Sequence, residues 1–114
     1  MLCYNNMELH EKHCIPCEGK AVPLQEEAVR NYLNKLTKKW EIVEHKKIRH
    51  EFIWKDFIEA IEFVNNVAEL AEQEDHHPDI HISYKKVIIE LWTHAIGGLS
   101  ENDFILASKI EKLP

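Results

Sequence analysis

Asp56-Phe57-Ile58-Glu59-Ala60-Ile61-Glu62-Phe63-Val64-Asn65-Asn66-Val67-Ala68-Glu69-Leu70-Ala71 is the stretch that decides the fold. Asp56 followed three residues later by Glu59 is a capping-box pattern, in front of an apolar-periodic run from Phe57 to Ala71. The run reads as a helix over 57–71. Placed at about 100° per residue, Phe57, Ile58, Ala60, Ile61, Phe63, Val64, Val67, Ala68, Leu70 and Ala71 cover well over half the helix circumference, more than one core-facing stripe needs. The surplus is expected to be covered by another subunit.

On the C-terminal side of this helix, Pro78 prevents it from continuing far. Ile80, Ile82 and Tyr84, then Val87, Ile89 and Leu91, alternate with other residues on either side of Tyr84-Lys85-Lys86, which predicts a hairpin. His94 is placed at the end of its second strand. Gly97-Gly98 make a turn, Ser100 with Asp103 gives another N-cap pattern, and Phe104, Ile105, Leu106, Ala107 and Ile110 close the chain as a short helix. On the N-terminal side, Trp40 and Ile42, then Ile48, Phe52 and Trp54, alternate with polar residues around Glu44-His45-Lys46, a first hairpin. Before it, Leu24, Ala28, Val29, Tyr32, Leu33 and Leu36 recur at helical spacing, from Pro23 to about Thr37. The order is helix-strand-strand-helix-strand-strand-helix. Two hairpins favour a four-stranded antiparallel sheet with three helices packed on one face, an α+β domain over residues 23–114. Residues 1–22 show no periodicity and read as an irregular N-terminal arm.

The 114 residues suffice for one domain and one core. A net charge of −6 with no basic stripe argues against nucleic acid. No apolar run approaches the roughly 20 residues of a membrane span, and residues 1–6 lack the basic and apolar regions of a signal peptide. A cytoplasmic protein is expected. Three cysteines, an odd number, suit a reducing compartment rather than a disulfide framework. Cys14-Ile15-Pro16-Cys17 has the spacing of zinc knuckles and redox pairs. No later cysteine completes a zinc site, however, and no βαβ context supports redox chemistry, so the thiols read as incidental.

Half of the eight histidines lie between 76 and 94. His76-His77-Pro78 and His94, with the carboxylates Glu72, Asp75 and Asp103, gather proton donors and acceptors that work near neutral pH. A helix terminus explains part of this without chemistry, because an imidazolium there is stabilised by the last carbonyls and by Glu72, one turn before His76. Asp103 is likewise explained as a cap residue. His81 is expected at the surface, and His45 and His50 carry no specific signal. A metal site from His76, His77, His81 or His94 with Asp75 and Asp79 is not expected, since adjacent side chains point apart and no HxH or HxxxE pair is placed to hold one ion.

The pattern Glu72-x3-His76-His77-Pro78, Tyr84, His94 and Asp103 resembles the signature of the pterin-4a-carbinolamine dehydratases. Trp54-Lys55-Asp56-Phe57, Thr93-His94, Gly98-Leu99-Ser100 and Leu106-Ala107-Ser108-Lys109-Ile110 agree further. The resemblance covers roughly residues 22–112, and the cysteine-bearing arm looks like that of bacterial members. It implies the sheet and three helices derived above, assembled as a homotetramer partly through a helix bundle. It implies a hydro-lyase that takes water from 4a-hydroxytetrahydropterin to give quinonoid dihydropterin, in the recycling of a cofactor spent by aromatic amino-acid hydroxylases, with no cofactor or metal of its own. His76 and His94 become acid/base residues acting from opposite sides of C4a, His77 holds the pterin, and Glu72, Asp75 and Asp103 orient the imidazoles. Two other functions stay open: an interaction module, since vertebrate relatives serve as dimerisation cofactors of a homeodomain transcription factor, and a pterin-binding protein of molybdopterin metabolism.

Overall fold

The computed structural model describes residues 8–14 and 22–114. Three helices, α1 (Glu26–Leu33), α2 (Phe57–Glu74) and α3 (Glu101–Glu111), pack with four strands, β1 (Glu41–Val43), β2 (Lys47–Ile53), β3 (Asp79–Ser83) and β4 (Lys86–Leu91). The strands form one antiparallel sheet in the order β1-β2-β4-β3, so each hairpin contributes an edge strand and β2 and β4 meet at the centre. Register follows from the apolar alternation. Ile48, His50 and Phe52 lie opposite Leu91, Ile89 and Val87, and the five apolar residues of this set are buried beneath the helices. The other face carries charges: Arg49 bonds Glu41 at 2.8 Å, and Glu90 lies 3.5 Å from Lys47 and 3.6 Å from His81, at the surface as expected.

α2 runs one turn past the expected Ala71, to Glu74. Asp56 caps Glu59 N–H at 2.9 Å, but the return bond of Glu59 goes to Lys55 N–H at 3.1 Å, one residue earlier than a capping box predicts. Its inward stripe is Ala60, Phe63, Val67, Ala71 and Glu74. Burying Phe63 alone contributes about 2–3 kcal/mol. The surplus apolar width is real at the N-terminal end, where Phe57 and Ile58 are 46% and 65% exposed.

α1 is shorter than the periodicity predicts at both ends. Its start is held off because Leu24 N–H bonds Leu99 O at 2.8 Å and Gln25 is extended. Pro23 also packs so closely on Gly98 that a Cβ there would lie 2.7 Å from the proline's own. Its end is drawn away by Glu111, whose carboxylate accepts from Thr37 N–H at 3.0 Å, Lys38 N–H at 2.8 Å and Trp40 Nε1 at 2.8 Å. Backbone groups that would extend the helix are bonded to α3 instead.

α3 is buried nearly all round, between α1, α2 and the arm. Residues 8–14, read from the sequence as part of an irregular arm, are packed on the domain. Leu9–Glu11 forms a 3-10 turn that buries Leu9, and Lys12 bonds Glu101 at 2.7 Å. Cys3 and Cys17 lie outside the described residues. Among the described residues no helix is long and apolar enough to cross a membrane.

Candidate active site

The expected site residues come from the end of α2, the segment between α2 and β3, the segment after β4 and the first turn of α3. Asp75 ends α2 in the left-handed conformation, φ 53° and ψ 42°, a position usually taken by glycine but tolerated by aspartate. That reversal turns the chain after one residue, so His76 points back beneath the helix end toward α3. Its Nε2 lies 2.7 Å from Asp103 Oδ1, with the histidine side chain 12% exposed and Asp103 fully buried. Glu72, expected to support His76, bonds the neighbouring His77 instead, at 2.6 Å, and both of those side chains are exposed. The left-handed residue accounts for the exchange, since it carries His76 off the helical path on which it would stand one turn beyond Glu72.

Asp103 is a cap residue and a histidine partner together. Its Oδ2 accepts from Ser100 N–H at 2.9 Å and from the Thr93 hydroxyl at 2.8 Å, while Oδ1 serves His76. Thr93 is buried and is followed by a 3-10 turn, His94–Ile96. His94 therefore begins that turn three residues beyond β4 rather than ending the strand. Its exposed ring lies against Trp92, centroids 4.1 Å apart, and Trp92 Nε1 donates to Asp79 Oδ2 at 3.3 Å. Lys46 Nζ sits 4.7 Å from the Trp92 centroid.

The tertiary structure thus joins His76 and Thr93 through Asp103 and pairs His77 with Glu72, while the His94 ring, next in sequence to Thr93, packs on Trp92. The structure does not bring in Asp75 or Tyr84. Among the described residues the Asp75 carboxylate bonds none of the three histidines, its contribution being the turn. Tyr84 is 66% exposed in the β3–β4 turn, on the far side of the five residues of β3, roughly 16 Å from the His77 end of that strand.

Two residues beside the site were given no role by the sequence. Thr93 continues the inward alternation of Val87, Ile89 and Leu91, and a hydroxyl at a core register position is the signal that marks it. Glu74 likewise continues the α2 stripe Ala60, Phe63, Val67, Ala71. It is almost buried and accepts from Cys14 N–H at 2.8 Å, faces His13 Nδ1 at 3.2 Å and pairs with Lys109 at 3.3 Å. Burial pushes its carboxyl up, but the bonds from Cys14, His13 and Lys109, with the Lys109 charge, outweigh this and hold it below the ordinary value. Burial, then the charges of Glu74 and Asp103, push the Cys14 thiol up to about 12. Cys14 is therefore a thiol at neutral pH, unsuited to nucleophilic attack or thiolate ligation.

Fold and site define a small α+β domain with an imidazole held on a buried carboxylate where two helices meet. The chain belongs to the pterin 4 alpha carbinolamine dehydratase family, whose model matches residues 22–113. It is 47% identical over 105 residues to a protein of Rickettsia bellii (strain OSU 85-389) provisionally named a pterin-4-alpha-carbinolamine dehydratase, covering 92% of this chain and 93% of that one. A similarly named protein of Nitrosomonas eutropha is 43% identical over 109 residues, 96% of each chain. The crystal structure of a transcriptional coactivator/pterin dehydratase from Brucella melitensis superimposes with a TM-score of 0.73 at 33% identity, covering 78% of this chain and 95% of that one.

Proposed function

We propose that this chain is a cytoplasmic hydro-lyase that dehydrates a 4a-hydroxytetrahydropterin to quinonoid dihydropterin and water, returning a pterin cofactor to use. The observation that carries this reading is the His76–Asp103 pair, 2.7 Å long, with the carboxylate fully buried and the imidazole still partly open. Loss of the C4a hydroxyl as water needs a proton donor at that oxygen, and loss of the N5 proton needs an acceptor. Imidazole does both near neutral pH. His76 and His94 take these acid/base roles, and His77, set by Glu72, holds the pterin. Every proton step is assigned to a side chain, with no metal or cofactor. An odd number of cysteines, one a half-buried thiol at neutral pH, suits the reducing cytoplasm.

The protein acts as a homo-oligomer in this proposal, a tetramer by family resemblance, and the exposed Phe57 and Ile58 on α2, with Ile53 59% exposed beside them in sequence, support burial against another copy. The Brucella relative's description as a coactivator favours a second role as an interaction module, which the same apolar surface would serve.

The test is dehydration of freshly made 4a-hydroxytetrahydropterin, followed in the ultraviolet, by wild type, His76→Ala, His77→Ala and His94→Ala. General acid/base groups are worth about 10²- to 10⁴-fold in rate. His76→Ala and His94→Ala should lower kcat, each mainly for one C4a stereoisomer, and His77→Ala should raise KM. Wild-type turnover in all three variants would refute the proposal.

A further inference from the structure

The bonds around Asp103 can be given directions, because each donor has only so many protons. Asp103 N–H donates to the Ser100 backbone carbonyl oxygen at 3.2 Å. The Thr93 hydroxyl donates to Asp103 Oδ2 at 2.8 Å, which uses its single proton. In the 2.7 Å contact between the two hydroxyls, Ser100 must then be the donor and Thr93 the acceptor. With Ser100 N–H also on Oδ2, every neighbour on that side gives a proton toward the carboxylate. A carboxylate so surrounded accepts at Oδ1 as well, so the 2.7 Å bond to His76 requires a proton on Nε2. Neutral His76 then has its lone pair on Nδ1.

We propose that Thr93 is a positioning residue of the site: its hydroxyl, held by Ser100, fixes Asp103 so that His76 is kept as the Nε2–H tautomer and exchanges its reacting proton through Nδ1. This rests on the acid/base reading of His76 given above. Thr93 touches no substrate in this role. It holds the carboxylate in the orientation that keeps Oδ1 on Nε2, and through that keeps Nδ1 as the free ring nitrogen. The 4% exposure of Thr93 keeps water from replacing its hydroxyl. Valine at 93 would keep the shape and remove one of the two donors to Oδ2, leaving Ser100 N–H alone to hold the carboxylate there and weakening the bond that selects the Nε2–H tautomer. Serine would restore the donor.

The experiment combines nitrogen NMR of histidine-labelled protein, above the pH at which the ring is charged, with steady-state kinetics. Wild type should show His76 with a pyrrole-type Nε2 and a pyridine-type Nδ1. Thr93→Val should show mixed tautomers and a kcat lower by about tenfold, the effect of about one hydrogen bond, with KM within about twofold. Thr93→Ser should restore both. If Thr93→Val does not fold, Ser100→Ala, which takes away the donor to Thr93, is measured in its place with the same expectation of mixed tautomers and reduced kcat. An Nδ1–H tautomer in wild type would overturn the inference, as would a variant that loses turnover with the tautomer unchanged or keeps both. His76→Ala separates the two claims: full turnover there removes the acid/base reading, whereas an inactive His76→Ala beside the wrong wild-type tautomer removes only the role of Thr93.

Discussion

Replacing Glu74 by glutamine keeps the side chain's shape and removes the charge on which Cys14 N–H, His13 and Lys109 converge. The Lys109 side chain, 13% exposed, would keep its ammonium without a counter-charge at 3.3 Å. Hydrogen bonds to charged groups are worth about 1.5–3 kcal/mol, and the amide retains part of them, so a loss of about 2 kcal/mol is expected at pH 7. For a domain of this size that is a fall in Tm of roughly 8 °C. The sign of the pH dependence follows from the depressed carboxyl of folded Glu74. A group lowered on folding stabilises fully above its unfolded value, about 4.3 for glutamate, and that stability is lost as pH falls through the folded value. The gap between wild type and Glu74→Gln should therefore be full at pH 7 and shrink at acid pH below about 4. Urea unfolding at a series of pH values measures it. Equal midpoints at pH 7, or a gap that stays constant into acid, would refute the argument that this buried ion pair fastens the arm to α2 and α3.

Cys14, in a Cys3→Ser/Cys17→Ser background, should react with a thiol reagent at pH 8 roughly a thousandfold more slowly than free cysteine, as a thiol pushed up to about 12 requires, and faster after Glu74→Gln; a rate like that of free cysteine would contradict its burial. Ile58→Glu places a charge in the exposed apolar part of α2 and should lower the molar mass seen by light scattering, without lowering Tm by more than about 4 °C, the equivalent of about 1 kcal/mol, since a side chain 65% exposed contributes little within one chain. A wild-type monomer at micromolar concentration would refute the expected assembly. Chelator treatment should leave dehydratase turnover unchanged; loss restored by zinc or iron would overturn the all-histidine account.

Which parts were legible in the sequence depends on the range of the interactions that set them. Apolar alternation placed both hairpins and the Asp56 cap placed the start of α2, because each of these is fixed by neighbours a few residues away, and the order of elements favoured the antiparallel sheet with helices on one face. The spacing of Glu72, His76, His77, His94 and Asp103 led to the family that residues 22–113 match. Only the tertiary structure decided where α1 ends, since Glu111, far along the chain, bonds the backbone that would have continued it. The partners of the histidines were decided in the same way. Asp75 in the left-handed conformation gives Glu72 to His77 and sends His76 to Asp103, which α3 brings up beneath it. Thr93 stood in the family pattern without a role, and Glu74 was visible only as a polar residue on an apolar stripe; what they bond, and so why they are buried, required the helices and the arm to be in place.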